Sequence, residues 1–204
     1  MSIAQARTDT SEIADEALLQ RYAQGDFGAF EQLYQRHKGG LYRYFLRQLG
    51  NTSLAEDLFQ DIWGKVISQA AQYQPTAKFS TWLYTLAQHK LIDHVRHLKV
   101  VDKVIDSDSQ AEDVSGWGAV ELQAMAPEQL YQQDHAKQVL KYCIAKLPLV
   151  QRECFLLKEE AGLSLEAIAE VVSANYEACK SRLRYACDNL RQCIQRKLSR
   201  EEVV

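Results

Sequence analysis

Three carboxylates and one amide lie close together in the first half of the chain. These side chains belong to Glu56, Asp57, Gln60 and Asp61. Spacings of one, three and four residues put them on one side of a helix. Acids near a helix N-terminus stabilise the helix dipole without any partner. The same row could instead bind a basic protein surface, and the residues alone leave both interpretations open.

A second group combines aromatic rings with hydroxyl, imidazole and cationic groups on the next predicted helix. Rings of this kind can stack on unpaired bases, while cations contact phosphates. The alternative is a solvated helix face with a few buried rings. The members are Trp82, Tyr84, Thr85, His89 and Arg96, with Gln88 beside them.

A third group lies near the C-terminus. A short helix predicted over 165–172 is followed by a three-residue break at 173–175 and then by a longer helix with basic early turns. This order is typical of a helix-turn-helix, whose second helix presents its first turns to the major groove. A generic helical hairpin with a basic face is the alternative. The mostly outward residues are Lys180, Ser181, Arg182, Arg184 and Arg191.

Other chemistry has little support in the sequence. We find no phosphate-binding loop, no nucleophile paired with a base and no metal-ligand spacing around His89, His94 or His97. We therefore expect no enzyme activity, no cofactor and no metal. The five cysteines form no C-x-x-C pair and their number is odd, so we expect buried thiols rather than a disulfide framework.

The composition favours an all-α protein of two small helical domains. Among 204 residues there are three prolines and nine glycines, which indicates long helices with few turns. We expect a mobile tail at 1–14, a helical domain at 15–100, a flexible acidic linker at 101–133 and a second helical domain at 134–200. The role of Trp117 in the linker is not evident.

Local signals predict where several helices begin. Asp26 is expected to cap one helix, and Ser53 with Glu56 forms a capping box for the next. Ser80 or Thr81 is expected to cap the aromatic-rich helix. The chain has no secretory signal pattern and no apolar run of membrane-spanning length, so we expect a cytoplasmic protein without membrane insertion.

Six segments together resemble one protein family. GDFGAFEQLYQRH, AEDLFQDIW and FSTWLYTLA in the first part are similar in order and spacing to region 2 of bacterial sigma-70 factors. LPLVQRECFLL, GLSLEAIAEVV and KSRLRYACDNLR in the second part are similar to region 4. The chain thus resembles the small, extracytoplasmic-function (ECF) type of sigma factor.

The resemblance implies a region 2 helical bundle, a region 4 helix-turn-helix and three kinds of partner: core RNA polymerase, promoter DNA and an inhibitory anti-sigma factor. Polymerase binding is expected at Glu56, Asp57, Gln60 and Asp61, while the nearby aromatic residues Phe59 and Trp63 pack inside the domain. Recognition and melting of the −10 element are expected at Lys78, Phe79, Trp82, Tyr84, Thr85, His89 and Arg96. Recognition of the −35 element is expected at Tyr176, Lys180, Ser181, Arg182 and Arg184.

The chain departs from the family pattern at three places. His89 stands where the family often has asparagine, the turn before the last helix differs from the usual sequence, and Tyr185 replaces a common basic residue. The promoter sequence is therefore not predictable. A stand-alone helix-turn-helix regulator that binds operators as a dimer is the alternative function. Such a regulator would not need an acidic docking helix followed by an aromatic DNA-melting segment.

Overall fold

The computed structural model describes residues 13–105 and 131–201, with the side chains of 13–97 and 135–199. All regular structure in these two ranges is helical. The predicted tail and linker lie largely outside them, as does Trp117. The helices are α1 (Asp15–Ala23), α2 (Phe27–Leu49), α3 (Thr52–Gln69), α4 (Phe79–Ile105), α5 (Tyr131–Ala145), α6 (Leu149–Glu159), α7 (Leu165–Val171) and α8 (Tyr176–Glu201).

The first bundle consists of α1 to α4, with a short 3-10 turn at Ala70–Gln72 after α3. Its apolar stripes recur every three or four residues, as the sequence predicted, and meet in one core. The fully buried members of this core include Leu18, Leu33, Leu41, Phe45, Ile62, Val66, Leu83 and Ala87. The resulting scaffold fixes the orientation of α3 and α4, on which the two predicted surfaces lie.

The ends of α2 follow local sequence signals. The Asp26 carboxylate accepts the backbone N–H of Ala29 at 3.1 Å, which confirms the predicted cap. Gly50 ends the helix with φ +66°, a conformation that a side chain would oppose. The predicted capping box of α3 was wrong, because Asn51 caps this helix through the N–H of Leu54 at 3.0 Å. Asn51 takes the N-cap position because the chain is extended there and already helical at Thr52.

The start of α4 depends on a residue far away in sequence. Glu16 of α1 accepts the backbone N–H of Phe79 through its Oε1 atom at 2.6 Å. The prediction that Ser80 or Thr81 caps α4 was wrong, since the helix already begins at Phe79. A carboxylate at this position satisfies an N–H that has no partner within the helix and interacts favourably with the dipole.

Replacing Glu16 with alanine should therefore destabilise the first bundle. We expect Glu16→Ala to lower the free energy of unfolding by about 1 kcal/mol, the usual contribution of a helix cap. Thermal unfolding followed by circular dichroism measures this loss. Gln20→Ala, an exposed change on the same helix, is the matched control. Equal melting temperatures for the two variants would contradict the role of Glu16.

The second bundle consists of α5 to α8. Ser164 caps α7 through the N–H of Ala167 at 3.2 Å, as predicted. The turn after α7 places Ser173 at φ +50°, and the side chain of Asn175 then accepts the N–H of Ala178 at 2.7 Å. These contacts confirm the predicted break and set α8 across α7 as a helix-turn-helix.

A disulfide joins α5 to α8, so the prediction of buried thiols was wrong for Cys143 and Cys193. Cys143 and Cys193 are bonded, with their Cα atoms 5.8 Å apart. Of the remaining cysteines, Cys154 and Cys179 are buried and Cys187 is exposed. An odd count does not exclude a pair, and a separation of 50 residues gives no local signal of it. Closing so long a loop restricts the unfolded chain and thereby stabilises this bundle.

The two bundles contact each other. The α6–α7 corner packs against α2, and α7 lies along α4.

No helix among the described residues combines the length and the apolar character that crossing a lipid bilayer requires.

Candidate functional surfaces

The predicted acidic row lies on the outer side of α3. Its four members, Glu56, Asp57, Gln60 and Asp61, are all exposed. The opposite side of the helix is buried, with Leu58 at 4% exposure and Ile62 at 0%. The structure thus brings the four residues together as one solvent-facing surface, here called the α3 acidic row.

One member of this row contacts the next helix. The Asp61 carboxylate lies 2.7 Å from the ammonium group of Lys90 on α4, with both groups partly open to solvent. Lys90 was not among the predicted site residues, because no local pattern shows which helix packs beside α3. An exposed pair of this kind contributes only about 0–1 kcal/mol to stability. The carboxylate therefore remains available to a stronger cationic partner.

The aromatic residues of α3 face inward, as the resemblance implied. Trp63 is 5% exposed, and its ring contacts Tyr34 at a centroid distance of 4.9 Å and Phe30 at 5.7 Å. Phe59 packs edge-on against Tyr42 at 6.0 Å. These contacts hold α3 against α2 and leave the polar side of α3 outward.

An aromatic cluster forms where α4 begins. The ring of Trp82 is half-buried and lies 5.0 Å from Tyr73 and 5.9 Å from Phe79. Tyr73, which precedes the proline-containing loop, was not among the predicted site residues. Burial, together with the negative charges of Glu16 and Asp15, raises the pKa of Tyr73 to about 12, so its hydroxyl stays protonated. The Trp82 ring thus packs against Tyr73 and Phe79 at the border of the core.

Two of the predicted −10 residues are buried in this structure. Phe79 is 0% exposed and Tyr84 is 1% exposed, so neither ring is free to stack on a base in this arrangement. The Tyr84 ring packs edge-on against Tyr44 at 5.5 Å. Thr85 is half-buried, and its hydroxyl donates to the Thr81 carbonyl oxygen at 2.8 Å.

The other predicted −10 residues share one surface of α4. Lys78, His89 and Arg96 are exposed, and Trp82 is half-buried. Trp82, His89 and Arg96 are spaced by seven residues, nearly two full turns, so they lie on the same side. From Lys78 to Arg96 this surface extends over about 27 Å of helix, long enough to follow several nucleotides of a strand.

The early turns of α8 present most of the predicted −35 residues to solvent. Tyr176, Lys180 and Arg184 are exposed, and Ser181 is half-buried. The Arg184 guanidinium lies over the ring of Tyr185 at 5.0 Å. Tyr185 is 51% exposed and was missed as a site residue, although its neighbour Arg184 was predicted. The outward cations and rings lie on early turns of the second helix, which is the part that a helix-turn-helix usually presents to DNA.

Arg182 was predicted to point outward with its neighbours, and this prediction was wrong. Its side chain is half-buried and interacts with Glu153 and Cys154 of α6. Position 182 lies three residues after buried Cys179 and four before buried Ala186, which places it on the inner side of α8. Burial raises the pKa of Glu153, and the positive charge of Arg182 counteracts this effect.

Family models match both bundles. The model for sigma-70 region 2 matches residues 33–100, and the model for sigma-70 region 4 matches residues 137–190. Together they cover more than half of the chain and coincide with the helices that carry the α3 acidic row, the α4 surface and the helix-turn-helix.

Similar proteins and structures agree with these matches. The ECF RNA polymerase sigma factor SigK of Mycolicibacterium vanbaalenii is 30% identical over 184 residues, which is 88% of each chain. SigK of Mycobacterium tuberculosis strain H37Ra is 29% identical over 88% of this chain and 92% of its own.

Two solved structures share the fold. CnrH in complex with the cytosolic domain of CnrY has a TM-score of 0.62 at 21% identity, over 90% of this chain and 98% of that one. The sigma factor RpoE of Bartonella quintana, in complex with the anti-sigma factor NepR, has a TM-score of 0.60 at 22% identity, over 81% and 96%. The chain therefore belongs to the sigma-70 family of RNA polymerase sigma factors, in its ECF group.

Proposed function

We propose that the α3 acidic row is the main contact of this sigma factor with core RNA polymerase. Three carboxylates and one amide lie on one exposed side of a helix whose other side is anchored in the core. Opposite charges across an interface direct association and fix its orientation. A basic surface on the polymerase would meet this row without any rearrangement of the bundle.

One surface of the first bundle would contact the −10 element. It consists of Lys78, just before α4, and of Trp82, His89 and Arg96 on α4. These side chains would bind a separated DNA strand through stacking and phosphate contacts. Phe79, Tyr84 and Thr85 would then support this surface from within rather than touch bases. His89 replaces the frequent asparagine at a position that faces the bases, so base preference here would differ from that of relatives.

The −35 element would be bound by the early turns of α8. A helix-turn-helix inserts this part of its second helix into the major groove. The side chains concerned are Tyr176, Lys180, Ser181 and Arg184. Arginine and lysine there can read guanine or bind phosphate. Arg182 would act indirectly, by fixing α8 against α6.

A single observation carries this proposal: an exposed acidic helix and an aromatic, basic helix lie side by side in one bundle, joined to a separate helix-turn-helix. A stand-alone operator-binding regulator would leave the first bundle without a role, and the relatives do not favour it.

The solved RpoE structure contains an anti-sigma factor, and we propose that this chain has such an inhibitory partner in the cytoplasm. The proposal assigns no catalytic step to this chain.

Reconstitution tests the function directly. We expect core RNA polymerase with this protein to initiate transcription at promoters that neither component recognises alone, because polymerase and promoter contacts reside in different subunits. Run-off transcription followed by sequencing of the transcripts reveals the promoters. The protein without polymerase should bind the same DNA poorly. Tight binding to an operator without polymerase, together with no transcript in its presence, would favour the stand-alone regulator.

A further inference from the structure

The guanidinium group of Arg184 has an aromatic neighbour instead of an acidic one. Its central carbon lies 5.0 Å from the centroid of the Tyr185 ring. Asp188, one helical turn further along α8, has the usual spacing for an ion pair with Arg184. The Asp188 carboxylate, however, lies 2.9 Å from Arg191. Within the described ranges, no carboxylate is paired with Arg184.

Contact with a ring leaves the hydrogen-bond donors of Arg184 available. A guanidinium carries five N–H donors in one plane, and its positive charge is attracted to the face of an aromatic ring. This attraction uses none of the donors, but it limits the orientations that an exposed arginine samples. A side chain ordered before binding loses less entropy when it binds. Arg184 is therefore prepared to donate two parallel hydrogen bonds to a planar partner.

The Tyr185 ring offers an apolar surface at the same place. It is 51% exposed, whereas the next residue, Ala186, is fully buried in the core of the second bundle. The core therefore does not account for a large ring at position 185. In the major groove of DNA, the apolar group on a base edge is the methyl group of thymine. An exposed ring beside an arginine can cover this methyl group while the arginine binds a neighbouring base.

The position of the two residues along α8 is compatible with base contact. Ser181 precedes Arg184 by three residues and Tyr185 by four, so these side chains are neighbours on the helix surface. Tyr185 lies about 14 Å along the helix from Tyr176, where α8 begins. The major groove is about 12 Å wide, and a helix-turn-helix places the early turns of its second helix beside the base edges. The arginine and the ring thus lie at the far end of the segment that would reach the bases.

We propose that Arg184 and Tyr185 act together to recognise a guanine and a neighbouring thymine in the −35 element. The Arg184 guanidinium donates to O6 and N7 of the guanine, and the Tyr185 ring covers the methyl group of the thymine. This inference rests on the proposed function, because it names the bases that the early turns of α8 read. Tyr185 thereby selects thymine at a position where a basic side chain would add mainly a phosphate contact.

Selection from a randomised −35 element is the direct test. The full chain with core polymerase is mixed with promoter fragments that differ only in this element, and the bound fragments are sequenced. We expect enrichment of a guanine next to a thymine, with the guanine favoured roughly 5- to 100-fold over other bases. Arg184→Gln should change the preferred base from guanine to adenine, because a glutamine amide matches N6 and N7 of adenine.

Replacing the thymine with deoxyuridine isolates the methyl contact. Uracil pairs as thymine does but lacks the methyl group, and burial of one such group corresponds to an affinity change of roughly 4-fold. We expect this loss for the unchanged protein and for Tyr185→Phe, which keeps the ring. Tyr185→Ala should bind both fragments equally and should also show a weaker guanine preference, because Arg184 loses its neighbour. Gln195→Ala, an exposed change about 15 Å further along α8, is the control that keeps both preferences.

A basic replacement separates base selection from charge. Tyr185→Arg should steepen the dependence of log affinity on log salt by about 0.9, the value for one added phosphate contact, and should lose the thymine preference. Unchanged base preferences in both Arg184→Gln and Tyr185→Ala, with promoter binding retained, would overturn the paired recognition and leave the proposed function standing. If the unchanged protein with polymerase selects no −35 sequence, the proposed function is wrong and the paired recognition with it.

Discussion

Reversing two charges on the early turns of α8 should almost abolish promoter binding. For the double variant Lys180→Glu, Arg184→Glu with core polymerase, we expect promoter affinity to fall roughly 100-fold or more. Both side chains are exposed on the helix that we propose to enter the major groove, so each new carboxylate would oppose the phosphates or base edges. Filter binding or fluorescence anisotropy on a promoter fragment measures the loss.

The control for this variant has the same change in net charge. Lys141→Glu with Arg196→Glu reverses two exposed cations of the same bundle, and Arg196 lies about 18 Å beyond Arg184 along α8. Neutral replacements, Lys180→Gln and Arg184→Gln, should each reduce the dependence of log affinity on log salt by about 0.9 if a phosphate contact is lost. Equal losses in the double variant and its control would show that only overall charge matters.

The second large effect is expected at the α3 acidic row. Asp57→Lys combined with Asp61→Lys should weaken binding to core polymerase roughly 100-fold, because two attractive contacts become repulsive. Binding is measured without DNA, so that promoter contacts do not contribute. Loss of the exposed Asp61–Lys90 pair should cost less than about 1 kcal/mol in stability, so the variant should melt close to the unchanged protein.

Two acids elsewhere on the first bundle provide the comparison. Glu31 on α2 and Asp93 on α4 are exposed, and Glu31→Lys with Asp93→Lys changes net charge by the same amount. We expect this pair of changes to leave polymerase affinity within a few-fold of the unchanged protein. If the Asp57 and Asp61 changes have no larger effect, those acids serve only the helix dipole, as the simpler interpretation holds.

The sequence predicted the two helical bundles well because their signals are local. Apolar residues every three or four positions define the buried stripes of α2, α3 and α4 without knowledge of their partners. The caps Asp26, Ser164 and Asn175 act within three residues of themselves. The same local rule placed the four members of the α3 acidic row on one exposed side of the helix.

Several errors in the prediction arise where a residue's partner is remote in the chain. The helix cap Glu16 lies 63 residues from Phe79, and Cys143 lies 50 residues from Cys193. Tyr84 is covered by Tyr44 of α2 and by Glu160, which are both remote in the chain. For Arg182, in contrast, the spacing from Cys179 and Ala186 already places the side chain on the inner side of α8. Helical periodicity identifies the apolar side of a helix, but it does not show which neighbours cover its borders.

The helices, the division into two bundles and the family resemblance all follow from the order of residues along this chain. Packing between helices is needed to show which predicted DNA-facing residues are accessible, and that Glu160 contacts Arg43 and Arg47 of α2. The physical reason is that hydrogen bonds and apolar stripes within a helix follow chain position. Ion pairs, disulfides and close backbone contacts between helices depend instead on packing in three dimensions.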